Sequence, residues 1–203
     1  MRTMAWSTMA VLSTLVALYA LAALLLPGFG PPFLVERRAQ IPWAVIAHLA
    51  GSLWALAVGP FQLNRRMRES ALGRHRWLGR SYVVGVAIGG IGALALAPRA
   101  MTGITAQLGF GLLGAFWLAF TLAGFVRIRQ GDEAAHRRWM VRSYALTWAA
   151  VTLRIYLPLS GALGLSLDAA YPVIAWISWV PNLLVAELSL LRQPQVEGKV
   201  VTS

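Results

Sequence analysis

The run WAVIAHLAGSLWALAVGPFQL, from Trp43 to Leu63, carries no charged residue and a single histidine. It is long enough to cross a bilayer as one helix, which takes roughly 20 apolar residues. Five further apolar runs accompany it, and together they predict an all-α polytopic membrane protein with six transmembrane helices. The predicted spans are residues 4–26, 43–63, 82–97, 107–126, 139–158 and 172–191.

The composition supports the same fold class. Hydrophobic residues make up 58% of the 203 residues, mean hydropathy is +0.64, and only 12% are charged, against about 25% in soluble domains. We therefore expect one transmembrane domain over residues 1–203, with 192–203 as a short cytoplasmic tail. The first run could be a signal peptide, but its length and the lack of a clear small-residue cleavage site favour an uncleaved helix. Cysteine is absent from the sequence, which excludes disulfides and Cys-ligated metals.

Membrane topology accounts for the formal net charge of +11. Most of the 18 cationic residues fall in the connections 65–80 and 127–142, on the same predicted side as both termini. The positive-inside rule places that side in the cytoplasm of an inner (plasma) membrane protein. The basic charge therefore does not call for nucleic acid as a partner. The expected partner is the lipid bilayer, and the arginines could also bind anionic lipid or an anionic substrate.

A short basic and aromatic phrase occurs twice. RWLGRSY spans Arg76–Tyr82 and RWMVRSY spans Arg138–Tyr144, and a histidine lies just upstream of each, His75 and His136. GSLW in the second span is echoed by GAFW in the fourth, so spans two–three and four–five predict two related helix hairpins with flanking helices. Each phrase should open a helix at the cytoplasmic surface, which brings His75 and His136 to one depth. His48 lies nearer the outer surface.

Two interpretations of these histidines remain open. Trp, Tyr and Arg commonly anchor helix ends at the interface, and the histidines would then be incidental. Alternatively, imidazoles from facing helices are the axial ligands of a bis-histidine b-type haem. His75 and His136 would be those ligands, and His48 a second-site candidate or a helix–helix hydrogen-bonding group. The candidate propionate or anion contacts are Arg76, Arg80, Arg138 and Arg142.

Small residues follow two of the histidines. They would line flat space for a porphyrin, or they are ordinary small-residue helix contacts. On the face of His48 they are Gly51, Ala55 and Gly59, and after His75 they are Gly79, Gly85, Gly89, Gly90 and Gly92.

Arg154 lies inside the fifth span, where a cation is costly unless it is paired or faces water. It could line a polar track with Ser143 and Thr147, or it could snorkel to the outer surface about four residues away.

Two more polar residues lie inside the sixth span. Glu187 could form a structural ion pair or handle protons, and its expected partners are Arg142, Arg138 or His136. Asn182, beside Pro181, interrupts the helix, as helix breaks at transporter binding sites do.

Three stretches carry a resemblance to a known family. They are AHLAGSLWALAVGPFQLNRRMRESALGRHRWLGRSYVV, HRRWMVRSYALTWAAVTLRIYLP and WVPNLLVAE. From about Trp43 to Leu191 the chain resembles a family of bacterial integral membrane proteins of unknown function. This resemblance implies a membrane protein and no particular activity.

A more distant likeness is to the six-helix b-type cytochromes that include ascorbate-dependent transmembrane ferric reductases. Those proteins carry four haem-binding histidines on helices two to five. The resemblance implies that His48 matches helix two, His75 helix three and His136 helix five. Near Phe110 or Gly111, where the helix-four histidine would fall, this chain has none. A single haem b on the inner pair would then remain, although a second register pairs the histidines differently.

Three classes of function remain open. One is an electron-transfer protein with a haem near the cytoplasmic face, acting with quinone or a small reductant; if it were an enzyme, it would be a membrane oxidoreductase. Another is a haem-free transporter of a small solute or ion, with a polar route lined by Arg154, Glu187, His48 and Asn182. The third is an accessory or assembly subunit. The sequence contains no nucleotide-binding loop, zinc-protease motif or nucleophile elbow.

Overall fold

The computed structural model describes residues 2–192, and every regular element in that range is helical. A 3₁₀ turn at Ala97–Arg99 follows the fifth helix. Apart from Arg192, the predicted tail lies outside the described residues. The α-helices are α1 (Arg2–Leu25), α2 (Pro32–Gln40), α3 (Pro42–Gln62), α4 (Arg65–Ser70), α5 (Leu72–Leu96), α6 (Ile104–Arg129), α7 (Glu133–Thr147), α8 (Ala149–Ala162), α9 (Leu167–Ile177) and α10 (Val180–Leu191).

Caps and a tight turn define the hairpin of α6 and α7. Asp132 Oδ1 accepts the Ala135 amide at 2.8 Å and starts α7. Gly131, with φ of 82°, ends α6, and the Asp132 amide returns to the Arg127 carbonyl at 3.0 Å. A glycine is favoured here because L side chains rarely adopt this left-handed conformation. The local sequence therefore folds back on itself, as the hairpin prediction requires.

The short helix α2 closes one end of the bundle. Arg38 donates to the carbonyls of Ala23 and Leu24 at 2.7 and 3.0 Å, and so caps the last turn of α1. The ring of Phe33 packs on Tyr171 with centroids 5.9 Å apart. The predicted spans left residues 27–42 as a connection, and the helix α2 within it was not predicted. We refer to this end as the α2 end.

The backbones of α3 and α5 touch at glycines. A Cβ added to Gly51 would lie 2.6 Å from the Gly89 Cα, and one added to Gly92 would lie 2.6 Å from the Ala44 carbonyl oxygen. Such distances leave no room for any side chain. Small residues allow this close approach in membrane helices, where packing rather than hydrophobicity drives association.

Three predicted starts differ most from the structure, and for the fifth span, expected from residue 139, α7 begins at Glu133. The third span was expected to begin at residue 82, but α5 begins at Leu72, so Arg76–Tyr82 lies within the helix. The sixth span begins earlier than residue 172, at Leu167, and it is broken at Ser178 and Trp179 between α9 and α10. All three helices extend beyond the apolar run from which the boundary was predicted.

Among the described residues, five helices are long and apolar enough to cross a membrane. The remaining predicted span, the fifth, corresponds to α7 and α8, which carry Arg154 and several hydroxyl residues and so are less apolar. Residues 133–162 are nevertheless long enough to span, at roughly 45 Å by helical rise. The count of six spans is not confirmed and stays a prediction. The five helices that qualify are Met4–Leu25, Pro42–Gln62, Leu72–Arg99, Ile104–Arg129 and Leu167–Leu191.

The glycine contact predicts how substitutions will affect stability. Gly51→Ala should destabilise the protein by about 1–3 kcal/mol, the usual cost of overpacking, because the new Cβ meets the backbone of α5. A thermal unfolding curve in uncharged detergent measures this change.

Gly161→Ala is the matched control, since a Cβ there meets no atom within 4 Å. Alanine also favours the helix, so its melting temperature should stay level or rise. An equal effect of both variants would contradict the close contact of α3 and α5.

Candidate functional site

A set of buried hydrogen bonds joins α5, α6 and α7. The Tyr82 hydroxyl lies 2.8 Å from Ser143 Oγ and 2.7 Å from Thr147 Oγ1. Ser143 Oγ lies 2.6 Å from Thr121 Oγ1, and Trp117 Nε1 donates to Thr147 Oγ1 at 2.8 Å. All five side chains are buried. We call this set the hydroxyl ring.

The donors and acceptors of the hydroxyl ring balance. Thr121 donates to the Trp117 carbonyl at 2.7 Å, so it accepts from Ser143. With its proton used, Ser143 accepts from Tyr82, and Thr147 accepts from the Trp117 indole. Two acceptors lie within reach of the Thr147 proton, the Tyr82 hydroxyl at 2.7 Å and the Ser143 carbonyl at 3.0 Å, so every hydroxyl proton has an acceptor. A satisfied buried network of this kind holds three helices in one arrangement.

The hydroxyl ring gives the twin phrases a role beyond interfacial anchoring. Tyr82 ends the first phrase and Ser143 lies in the second, so the two phrases are in direct contact. Tyr144 ends the second phrase, and its hydroxyl lies 2.8 Å from Ser13 Oγ in α1. The ring of Tyr144 occupies the space beside Gly59.

His75 and His136 lie half-buried at the end of the bundle opposite α2, within electrostatic range of each other. His136 Nδ1 donates to the Gly124 carbonyl at 2.8 Å, which directs ligation to Nε2. His75 Nδ1 is buried without a hydrogen-bond partner in residues 2–192. A carbonyl that holds the second ring nitrogen is typical of metal-ligating histidines. Over the same residues, no group of three or more His, Cys, Asp or Glu side chains could hold a metal ion.

The glycines expected to line a porphyrin contact neighbouring helices instead. A Cβ on Gly85 would lie 3.1 Å from Trp54 Cδ1, and one on Gly90 would lie 2.6 Å from Leu118 Cδ2. At these positions the structure has close helix packing rather than flat open space.

The arginines near this pair differ in their contacts. Arg142 donates to both carboxylate oxygens of Glu187, at 2.5 and 2.8 Å, and lies 4.9 Å from the ring centroid of Trp139. This confirms Arg142 as the partner of Glu187, and it leaves Arg142 engaged rather than free for a propionate. The remaining candidates, which are exposed, are Arg76, Arg80 and Arg138.

A cavity of 260 Å³ opens at the α2 end and reaches into the bundle. Arg37 and Arg99 lie at its mouth, and Trp117 and Thr147 of the hydroxyl ring line its inner part. The walls between them are largely leucine and alanine, and no Asp or Glu from the described part of the chain lines them. An apolar cavity with a few polar groups is the usual form of a small-molecule site.

Arg154 lies deeper in this cavity than the sequence predicted. Because α8 continues to Ala162, Arg154 is two turns, or about 12 Å, from the helix end. Its Nη1 donates to the Ala150 carbonyl at 2.9 Å, one turn toward the N-terminus of α8 and away from the Ala162 end, so the side chain does not snorkel outward. The guanidinium lies 4.9 Å from the ring centroid of Tyr19, and its Nε is buried without a partner among residues 2–192.

His48 lines the same cavity and is close enough to Arg154 for their charges to interact. Its Nδ1 donates to the Gly89 carbonyl at 3.1 Å, and Ser52 Oγ lies 3.4 Å from the same atom. Nε2 has no hydrogen bond to any described residue. The structure therefore brings together His48 and Arg154, two residues that the sequence placed on the transporter route.

Asn182 lies where two helix breaks meet, beside the cavity. The turn at Trp148 separates α7 from α8, and Ser178 lies at the break between α9 and α10. Asn182 Nδ2 donates to the Ser178 carbonyl at 3.0 Å and to Thr152 Oγ1 at 3.2 Å, and Thr152 also donates to the Ser178 carbonyl. Side chains thus satisfy the backbone groups that the breaks expose. Glu187, the fourth residue of the predicted route, lies away from the cavity with Arg142.

Sequence reasoning missed part of this arrangement. Thr147 does line the cavity with Arg154, as the predicted polar track required, whereas Ser143 belongs to the hydroxyl ring. Trp117 and Thr121 were not singled out. Their spacing of one helical turn on α6 was the available signal, but their partners lie on other helices.

The sequence model of the family described as "Predicted membrane protein (DUF2306)" matches residues 45–190. The chain belongs to this family, and it is an integral membrane protein whose apolar helices contact the lipid bilayer. Exposed side chains such as Leu15 on α1 and Leu188 on α10 supply that contact. Searches of the curated proteins and of the solved structures found no match. The plasma membrane location, the orientation of the termini and the likeness to cytochromes stay predictions.

The hydroxyl ring can be tested at Tyr82. Tyr82→Phe removes the group that links Ser143 to Thr147, which should cost about 1–3 kcal/mol of stability when buried partners lose their bond. Tyr156→Phe is the control, because the half-buried Tyr156 makes no hydrogen bond within residues 2–192. Thermal unfolding of both variants measures this loss. If Tyr82→Phe and Tyr156→Phe had equal melting temperatures, the hydroxyl ring would not stabilise the bundle.

Proposed function

We propose that the protein binds an organic anion within the membrane and carries it across, with Arg154 as the main contact and His48 as the second. The observation that supports this function best is the guanidinium of Arg154, which contacts the Ala150 carbonyl and the Tyr19 ring but no carboxylate of residues 2–192. It lies in a cavity where no carboxylate of the described residues is present.

The charge of Arg154 favours an anion over a neutral ligand. An uncompensated cation inside a membrane protein is costly, and such groups pair with an opposite charge or line a substrate path. Of the five N–H donors of the guanidinium, only Nη1 donates to a described residue, Ala150. A carboxylate or phosphate would use the remaining donors and neutralise the charge.

His48 favours an acidic ligand over a quinone. Its Nδ1 proton is engaged by the Gly89 carbonyl, so neutral His48 offers Nε2 as an acceptor. An acid can share its proton with Nε2 while its oxygens accept from Arg154. A quinone has acceptor oxygens but no proton to give, and it would leave the charge of Arg154 uncompensated.

The two helix breaks favour transport of the anion across the membrane over binding alone. Broken helices at mid-membrane are common in transporters, where they line the site and allow one part of the bundle to move against another. Here the break at Trp148 and the break at Ser178 are linked through Asn182 and Thr152. They lie beside the inner part of the cavity, because Ser178 itself lines it. The predicted orientation places the cavity mouth on the outer face.

Arg154→Gln separates a binding role from a structural one. Without ligand, this variant should melt at a higher temperature than the wild type, because an uncompensated charge is removed. A hundredfold excess of octanoate or benzoate over its Kd should stabilise the wild type by about 2.7 kcal/mol and leave the variant unchanged. Thermal unfolding in uncharged detergent measures both effects.

The control is Arg127→Gln, at an exposed arginine in the last turn of α6, outside the cavity. It should respond to the anions as the wild type does. The proposal fails if no carboxylate or phosphate stabilises the wild type, or if Arg154→Gln lowers the melting temperature and keeps the response.

A single haem b between His75 and His136 is the second candidate function. The contact of His136 Nδ1 with the Gly124 carbonyl and the unpartnered His75 Nδ1 favour it. A haem held there would supply one-electron transfer at that face, with Arg76, Arg80 and Arg138 as the available propionate contacts. Space for the porphyrin would have to open beside His75, because a Cβ on Gly79, one turn further along α5, would already lie 3.1 Å from Gln62 Oε1.

A reduced-minus-oxidised absorption spectrum tests the haem directly. Protein expressed with added haem should show Soret and α bands, which His75→Ala and His136→Ala each remove and His48→Ala retains. Protein without bands at stoichiometric haem rules this candidate out. Bands that survive in either inner variant would show that the axial pair is wrong.

A further inference from the structure

We infer that the anion is a single-chain amphiphile, with its acidic head at Arg154 and its apolar chain pointing toward the hydroxyl ring. This inference rests on the proposed function and narrows it to one class of ligand. Its basis is the position of Arg154 partway along the cavity rather than at its inner end.

The cavity continues past Arg154 toward the middle of the bundle. Thr147, which also lines it, lies seven residues earlier in the chain, a distance of roughly 10 Å along α8 and α7 by helical rise. The walls in this inner part are apolar, and they include Leu56, Leu113 and Leu146. A small inorganic anion at Arg154 would leave this space unfilled, whereas an alkyl chain would fill it.

The part of the cavity between Arg154 and the mouth suits the acidic head group. Between Arg154 and the mouth the cavity is lined by His48, Arg37 and Arg99, so positive charge is confined to the α2 end. Arg99 has no carboxylate partner within residues 2–192, and Arg37 lies 3.5 Å from only one, Glu36. A molecule with charge at one end and a hydrocarbon chain at the other matches this distribution. The same chemistry is found in free fatty acids and in alkyl phosphates.

A ladder of n-alkanoates from acetate to decanoate tests the inference. The affinity of the purified wild-type protein, measured by calorimetric titration in uncharged detergent, should rise about fourfold per added methylene, as expected for burial of one CH₂ group. The rise should stop near octanoate, when the chain has filled the space between Arg154 and Thr147. The ladder repeated with Arg154→Gln corrects for partition into the micelle. Matched alkyl phosphates show which acidic head is preferred.

A pair of neighbouring leucines supplies the matched variants. Leu113 lines the cavity, whereas Leu112 is exposed on the outside of α6. In Leu113→Trp, the affinity for n-alkanoates should stop rising at a shorter chain than in the wild type. In Leu112→Trp, the affinity should depend on chain length as it does in the wild type.

The outcomes distinguish this inference from the function on which it rests. If acetate or inorganic phosphate binds the wild type as tightly as octanoate, the amphiphile is wrong and the anion site stands. If no acid of any chain length binds the wild type, both fail. An affinity that rises through decanoate equally in the wild type and Arg154→Gln also overturns the inference, because it reports partition alone.

Discussion

The main chains of α3 and α5 touch, and this contact sets the chemistry of one wall of the cavity. With no side chain at Gly51, Gly89 or Gly92, the two helices approach until their main chains touch. At that distance the Gly89 carbonyl accepts the Nδ1 proton of His48, which settles the tautomer of the imidazole. A packing feature of α3 and α5 thereby becomes a chemical feature of the cavity.

The hydroxyl ring and the helix breaks position α7 and α8, which form the wall of the cavity that faces α3. The ring holds α7 against α5 and α6, and α8 begins just beyond it, after the turn at Trp148. That turn places Arg154 opposite α1, where its guanidinium lies over the ring of Tyr19. The cavity therefore lies between the closely packed pair α3 and α5 and a helix that begins at the turn of Trp148.

Much of the fold could be predicted from the sequence because apolar length and arginine position are local signals. Trp43–Leu63 predicts a span by itself, and the twin phrases predict two hairpins. The helix α2 was missed because its stability comes from Arg38 on the carbonyls of α1, a contact that no local pattern shows. The depth of Arg154 was misjudged for a related reason, since α8 continues past Pro158 to Ala162. His48 and Arg154 could each be predicted as site residues from the sequence. That they line one cavity could not be predicted, because it depends on how α3 and α8 pack.

If Arg154 holds an acidic amphiphile, as we propose, that ligand should accompany the protein through purification. Native mass spectrometry, followed by negative-ion analysis of the extracted small molecules, compares the wild type with Arg154→Gln. We expect a single-chain acid bound near one per chain in the wild type and its loss from the variant. The same bound molecules in both proteins, or no acid in the wild type, would contradict it.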